Sequence, residues 1–132
     1  MKIYLASFLE KHNFGPGRLI SIADGSRPDH VKCDDVFTFM IPTPELSKQY
    51  STMQLEDPAN AGKVFAKEFT EQLDTFYDDV MEAAVDSGKA PQELLPLEDG
   101  DTLASWQREE FTHYRGTVAI YLKKLGYEVV SR

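Results

Sequence analysis

The sequence predicts an α/β fold: a single small domain with an open, mostly parallel sheet and helices on its faces. The chain has 132 residues, about the length of one domain. Short apolar segments typical of strands are followed by segments with helical periodicity. The last strand, helix and strand together span about thirty residues, the length of a βαβ crossover between parallel strands. We therefore assign residues 1–132 to one α/β domain with a C-terminal βαβ unit.

Three strands are predicted in the first third of the chain. Residues 2–8 are apolar almost throughout, as expected for a central strand covered on both faces of the sheet. A loop rich in glycine and proline leads to a second short strand at residues 18–23. Residues 36–41 predict a third strand that ends before Pro42.

A long helix is predicted over residues 58–87. Asp57 and Pro58 form a helix start, because the Asp side chain can accept from an unpaired N–H and Pro at the first position needs no acceptor. Gly88 follows as the residue that ends the helix. Six apolar residues then line one face of this helix: Phe65, Phe69, Leu73, Phe76, Val80 and Ala84.

The C-terminal part predicts a strand, a helix and a strand. Residues 102–106 form the strand after a proline-containing connection. The helix carries apolar residues at helical spacing, has Lys123 and Lys124 near its negative C-terminus and ends at Gly126. Residues 127–130 then form the closing strand.

Charge limits the choice of partner. The chain has 14 Lys and Arg against 22 Asp and Glu, a net charge of −8, which disfavours binding to duplex nucleic acid or an anionic membrane. The apolar stretch at residues 3–9 is too short to span a membrane. Cys33 is the single cysteine, so no intramolecular disulfide forms, and we expect a cytoplasmic protein. The outer face of helix 58–87 is strongly acidic, which suits a basic protein partner.

The candidate site lies where the fourth strand leads into the last helix. Ligands of open parallel sheets bind beyond the carboxyl ends of the strands, where helix N-termini present free N–H groups. We therefore expect this segment to bind a ligand through the following residues: His113, Tyr114, Arg115, Gly116 and Thr117. Arg115 and the N–H groups would favour a phosphate or carboxylate. In the alternative interpretation, Arg115 pairs with Glu109 or Glu110 and only fixes the loop.

Further candidates surround this segment. Ser7, Ser21 and Ser105 close the first, second and fourth strands and can face the same crevice. Trp106 can stack on a base and Gln107 can hydrogen-bond to it. Arg18, at the end of a glycine-rich turn, can line the crevice as well. That turn lacks the Lys and Ser/Thr of a phosphate-binding P-loop.

Several of these motifs together resemble a family of small bacterial and phage proteins, domain of unknown function 488. The matching segments are Ile-Tyr-Leu-Ala-Ser-Phe at 3–8, Leu-Ile-Ser-Ile at 19–22, Leu-Ala-Ser-Trp at 103–106, His-Tyr-Arg at 113–115 and Leu-Gly-Tyr-Glu-Val at 125–129. In this alignment His113 replaces the family's helix-start Cys, and Ser105 replaces its strand Cys. The resemblance therefore implies a bacterial or phage-infected cytoplasm, and a site without cysteine chemistry.

Three functions are left open. The first is a small-ligand-binding protein for a nucleotide or phosphorylated metabolite at the carboxyl end of the sheet. The alternative is an acidic protein-interaction module acting through helix 58–87. The third is an enzyme with His113 as general base, for which no nucleophile can be named. We expect no metal, because His12, His30 and His113 lack ligand spacing, and no cofactor; the sequence leaves the oligomeric state open.

Overall fold

The computed structural model describes residues 1–10, 14–23, 33–105 and 114–131. Five strands form one sheet in the order β3-β2-β4-β1-β5, and every pair is parallel. This confirms the predicted α/β class. The strands are β1 (Lys2–Ser7), β2 (Leu19–Ser21), β3 (Asp35–Val36), β4 (Thr102–Ser105) and β5 (Glu128–Ser131), and the helices are α1 (Pro44–Glu56), α2 (Pro58–Ser87) and α3 (Arg115–Lys124).

The C-terminal βαβ unit crosses over one strand. β1 lies between β4 and β5 and pairs with both, so β4, α3 and β5 enclose the first strand of the chain. β1 is thus an interior strand, as its apolar sequence predicts, and β4 is the middle one. All six residues of β1 are at least partly buried.

The two faces of the sheet differ in what covers them. Leu5 and Leu103 occupy paired positions on β1 and β4 and belong to the main apolar cluster, which also holds large buried side chains from α1, α2 and α3. We call this side the helical face. Ala104 belongs to a second cluster with loop residues such as Phe14. In the described ranges the three helices therefore pack on one face of the sheet.

Helix α2 matches its prediction in length and in its buried stripe. The six predicted apolar residues are all buried, together with Ala61. Gly88 ends the helix with φ of 71°, a left-handed conformation that glycine adopts without steric cost. The predicted side-chain cap is wrong, since the Asp57 carboxylate bonds no helix N–H. It accepts instead from the Asn60 side-chain amide at 2.9 Å.

The third predicted strand is largely wrong. Only Asp35 and Val36 pair with β2, and a short 3₁₀ helix at Thr38–Met40 follows. Phe37 and Met40 are buried while Thr38 and Phe39 are exposed. Two buried residues three positions apart fit a 3₁₀ turn, whose side chains repeat every third residue, and not a strand of period two.

Helix α1 has no counterpart among the predicted elements. It begins at Pro44, and the Thr43 hydroxyl caps it by accepting from the Leu46 N–H at 3.2 Å. Leu46 is its one fully buried residue, with Tyr50 partly buried against the core. So narrow an apolar stripe gives little helical periodicity to detect.

The C-terminal helix and its end agree with the prediction. Lys123 and Lys124 lie in the last turn of α3, and Gly126 adopts φ of 97° just beyond it. Within the described ranges, none of the helices combines the length and the apolar character needed to cross a membrane.

Candidate functional site

Serine hydroxyls gather at the carboxyl end of the sheet. Ser7 and Ser105 are paired residues at the ends of β1 and β4, and Ser21 ends β2 beside Ala104. All three serines are at most 2% exposed. Side chains alternate between the faces of a strand, so Ser7 and Ser105 share the helical face with Leu5 and Leu103. Ser21 lies on the opposite face with Ala104.

The Ser105 hydroxyl differs from the other two in its hydrogen bonds. The Ser7 Oγ accepts from the Leu9 N–H at 3.1 Å, and the Ser21 Oγ accepts from the Ala23 N–H at 3.3 Å. The Ser105 Oγ, although buried, has no hydrogen-bond partner in the part of the chain that the structure describes. A buried hydroxyl without a partner is uncommon and costly.

Helix α3 begins at the same end of the sheet, with Arg115 as its first residue. The N-terminal residue Tyr114 makes no side-chain capping bond, and the first turn holds no acidic residue. The first turn itself therefore supplies no carboxylate to the positive end of the helix dipole. Gly116 and Thr117 are half-buried and supply the next N–H groups of that turn.

The Arg115 side chain is buried, at 1% exposure. Its Nη2 donates to the Leu5 carbonyl and to the Ser131 hydroxyl, both at 3.0 Å. It thus ties the start of α3 to β1 and β5. This placement differs from a solvent-facing clamp on an anion. Glu109 and Glu110, the alternative partners, lie outside the described residues.

Tyr114 is a core residue and not an aromatic surface for a ligand, contrary to the expectation. Its side chain is buried, and its ring packs on Phe69 with centroids 5.1 Å apart. Its hydroxyl lies within bonding distance of the Ile22 and Met40 carbonyls. The residue therefore joins the end of β2 to the 3₁₀ turn.

Arg18 lies at the opposite end of the sheet, so the expectation that it lines the crevice is wrong. It directly precedes β2, beside Asp101, which precedes β4. The Arg18 Nη2 donates to Asp101 Oδ2 at 2.8 Å, and this hydrogen bond raises the pKa of the Arg18 guanidinium. Asp101 is 1% exposed. Sequence reasoning missed this partner, because register alone brings the two residues together.

The remaining candidates, Trp106, Gln107 and His113, lie outside the described residues, as do His12 and His30. In the ranges that are described, no three His, Cys, Asp or Glu side chains are grouped to hold a metal ion. The structure therefore places Ser7, Ser105 and the first turn of α3 at the same end of the sheet.

No protein-family model, curated protein or solved structure matches the chain. The resemblance to domain of unknown function 488 thus stays a prediction. Function has to be argued from the site itself.

Proposed function

We propose that the protein binds a small anionic ligand, a nucleotide or phosphorylated metabolite, at the carboxyl end of its sheet. The first turn of α3, at Gly116, would contact the phosphate. Helix N-termini at this end of parallel sheets commonly bind phosphates through their free N–H groups.

The observation that carries the proposal is the Ser105 hydroxyl. It is buried at 2% exposure, lacks a hydrogen-bond partner among the described residues, and lies on the helical face that α3 covers. A ligand oxygen accepting from this hydroxyl would satisfy it. This gives the helix terminus a second, independent group that favours an anion.

Arg115 would act on the ligand through its charge and not by direct contact. Its guanidinium is bonded to the Leu5 carbonyl and the Ser131 hydroxyl, and an arginine stays charged even when buried. The positive charge lies beneath the first turn of α3. It would add to the dipole in attracting an anion.

Calorimetric titration of the full chain with inorganic phosphate, adenosine monophosphate and ribose 5-phosphate tests the proposal. We expect at least one phosphate compound to bind, and Ser105→Ala to weaken it about 10- to 150-fold, the effect of losing one hydrogen bond to a charged group. The melting temperature of Ser105→Ala should not fall, because the lost hydroxyl has no protein partner in the described ranges.

Ser21→Ala is the matched control, since Ser21 is equally buried at the same end of the sheet but on the other face. It should bind the phosphate compound as the wild type does. Failure of all three compounds to bind, or equal affinity in the wild type and Ser105→Ala, would contradict the proposal. Arg115→Ala is a weaker test, because the loss of its bonds to Leu5 and Ser131 also lowers stability.

A further inference from the structure

A second concave surface lies between α2 and the chain that leads from β3 into α1. It encloses about 690 Å³, which is within the range of ligand sites. We call this surface the α2 groove. Its walls are mainly apolar, formed by Phe39, Ile41, Pro42, Phe76, Val80 and Leu95.

Phe39 is a large exposed apolar side chain of this groove, with 53% of its surface accessible. Its ring stacks on that of Phe76 at a centroid distance of 5.1 Å and an interplanar angle of 21°. The exposed ring therefore has a fixed orientation. Together with the apolar walls of the groove it forms a contiguous apolar surface, and such surfaces commonly mark binding sites.

One side chain of α2 fixes the opposite wall. The Gln72 Nε2 donates to the Ile41 carbonyl at 2.8 Å, and its Oε1 accepts from the Thr43 N–H at 3.2 Å. This two-point attachment holds the 41–43 segment against the helix. The groove is thus formed before any partner arrives, which lowers the entropic cost of binding.

An acidic hollow continues the groove between α1 and α2. It encloses about 390 Å³ and shares Thr43, Gln72 and Thr75 with the groove. Its walls carry three carboxylates, Glu45, Glu68 and Glu71. Asp79 adds a fourth at the groove itself, and neither lining includes a lysine or arginine from the described part of the chain.

We propose that the α2 groove and the acidic hollow together bind a peptide segment of a partner protein, with an apolar side chain next to lysine or arginine. The apolar side chain enters the groove beside Phe39, and the basic residues face the carboxylates of the hollow. Such complementarity speeds association and selects the partner. The proposal is independent of the phosphate site, since none of its residues lies there.

Length and charge decide between possible occupants. The α2 residues of the two linings run from Glu68 to Ala83, about 22 Å at 1.5 Å per helical residue. A peptide extends that far, whereas a small metabolite fills only one hollow. A second copy of this chain would bring a net charge of −8 to an already acidic surface, so repulsion disfavours it.

Peptide selection tests the inference directly. A random library of 12-residue peptides is displayed on phage. Phage that bind the Ala83→Trp variant are first removed, and the remaining phage are selected for binding to the immobilised wild-type chain. Ala83 is exposed and lines the groove, so tryptophan there fills the groove without entering the core. We expect enriched peptides with an aromatic or branched aliphatic residue and nearby Lys or Arg.

The enriched peptides are then made synthetically, and their affinities are measured. Ala83→Trp should weaken binding about 30-fold or more, as when an anchor side chain loses its pocket. The double variant Glu68→Lys, Glu71→Lys should weaken it about five- to tenfold. The double variant Asp78→Lys, Asp86→Lys is the matched control. It changes the net charge by the same amount, but at residues outside both linings, so it should weaken peptide binding much less.

Melting curves first confirm that each variant is folded. Three results would then overturn the inference. The first is no enrichment after counter-selection. The second is enrichment of peptides without Lys or Arg, which would make the groove a purely apolar site. The third is equal weakening by the charge reversals inside and outside the hollow, which would show only general attraction to an acidic surface.

Discussion

The two ends of the sheet treat their buried polar groups differently. At the amino end, the Asp101 carboxylate accepts from the Arg18 backbone N–H, Nε and Nη2 and from the Glu98 N–H, at 2.8 to 3.3 Å. At the carboxyl end, the Ser105 hydroxyl has no partner in the described residues, and α3 begins without a side-chain cap. A satisfied polar network such as that of Asp101 fixes structure, whereas the Ser105 hydroxyl contributes no such bond.

Backbone packing at the amino end adds to this contrast. Gly17 donates to the Gly100 carbonyl at 3.0 Å. A Cβ at position 17 would lie 2.7 Å from that carbonyl, so the two loops approach as closely as glycine allows. We infer that these contacts at the amino end stabilise the fold.

The largest effect is expected at the amino end. Asp101→Ala removes the acceptor of four hydrogen bonds and should lower the free energy of unfolding by about 3 kcal/mol, measured by urea denaturation. Glu98→Ala is the control, because Glu98 is 71% exposed and 3.5 Å from Arg18, and it should cost less than about 1 kcal/mol. Equal effects of the two variants would remove the distinction between the buried and the surface carboxylate.

A smaller loss is expected from Tyr114→Phe at the carboxyl end. The Tyr114 hydroxyl lies within hydrogen-bonding distance of the Ile22 and Met40 carbonyls. Its removal should lower the free energy of unfolding by about 1–2 kcal/mol. Tyr50→Phe is the matched control: its ring packs on Phe65, and the described ranges give its hydroxyl no partner. If Tyr114→Phe is as stable as the wild type, the residue does not join β2 to the 3₁₀ turn.

The smallest effect is a gain, from Tyr127→Phe before β5. The Tyr127 hydroxyl is buried without a partner in the described residues, so its removal should raise stability by up to about 1 kcal/mol at pH 7. Unlike Ser105→Ala, this variant should leave phosphate binding unchanged. Tyr127 lies at the amino end of the sheet, so a loss of affinity in Tyr127→Phe would contradict the placement of the phosphate site at the carboxyl end.

Tyr127 also sets a test in alkaline solution. Burial, with a smaller effect of the nearby Asp101 charge, raises the pKa of Tyr127 to about 12. In the unfolded chain the Tyr127 hydroxyl loses its proton near pH 10. Between about pH 10 and 12 the unfolded chain therefore binds fewer protons than the folded chain. The free energy of unfolding falls as the pH rises through this range. Tyr127→Phe should flatten this decline. Burial also raises the pKa of Tyr121 to about 12. Part of the decline in stability should therefore remain in Tyr127→Phe.

Elements whose signal is local were predictable from the sequence. The stripe from Phe65 to Ala84 specifies α2 by its own periodicity, and Gly88 ends the helix by its own conformational freedom. The apolar run at 2–8 likewise predicts an interior strand. Helix α1 and the turn at Thr38–Met40 were missed, because Leu46 alone, and the pair Phe37 and Met40, give too short a pattern to separate helix from strand.

The candidate site was only half predictable. The rule that ligands bind beyond the carboxyl ends of parallel strands locates Ser7, Ser105 and Arg115 correctly at one end of the sheet. It does not give the direction of a side chain, so Tyr114 was expected at the ligand and lies in the core. Arg18, at the end of a glycine-rich turn, was expected at the crevice, but it precedes its strand and so lies at the amino end.

What the sequence determined by itself is the α/β class with its parallel strands and the long helix. These follow from residue periodicity and from the direction of parallel strands, which are properties of neighbouring residues. Only the tertiary structure decided that Arg18 meets Asp101, that Ser105 lacks a partner among the described residues, and that α2 forms an apolar groove with an acidic hollow. Each of these depends on strand register or helix packing, which joins residues far apart in the chain and leaves no local pattern.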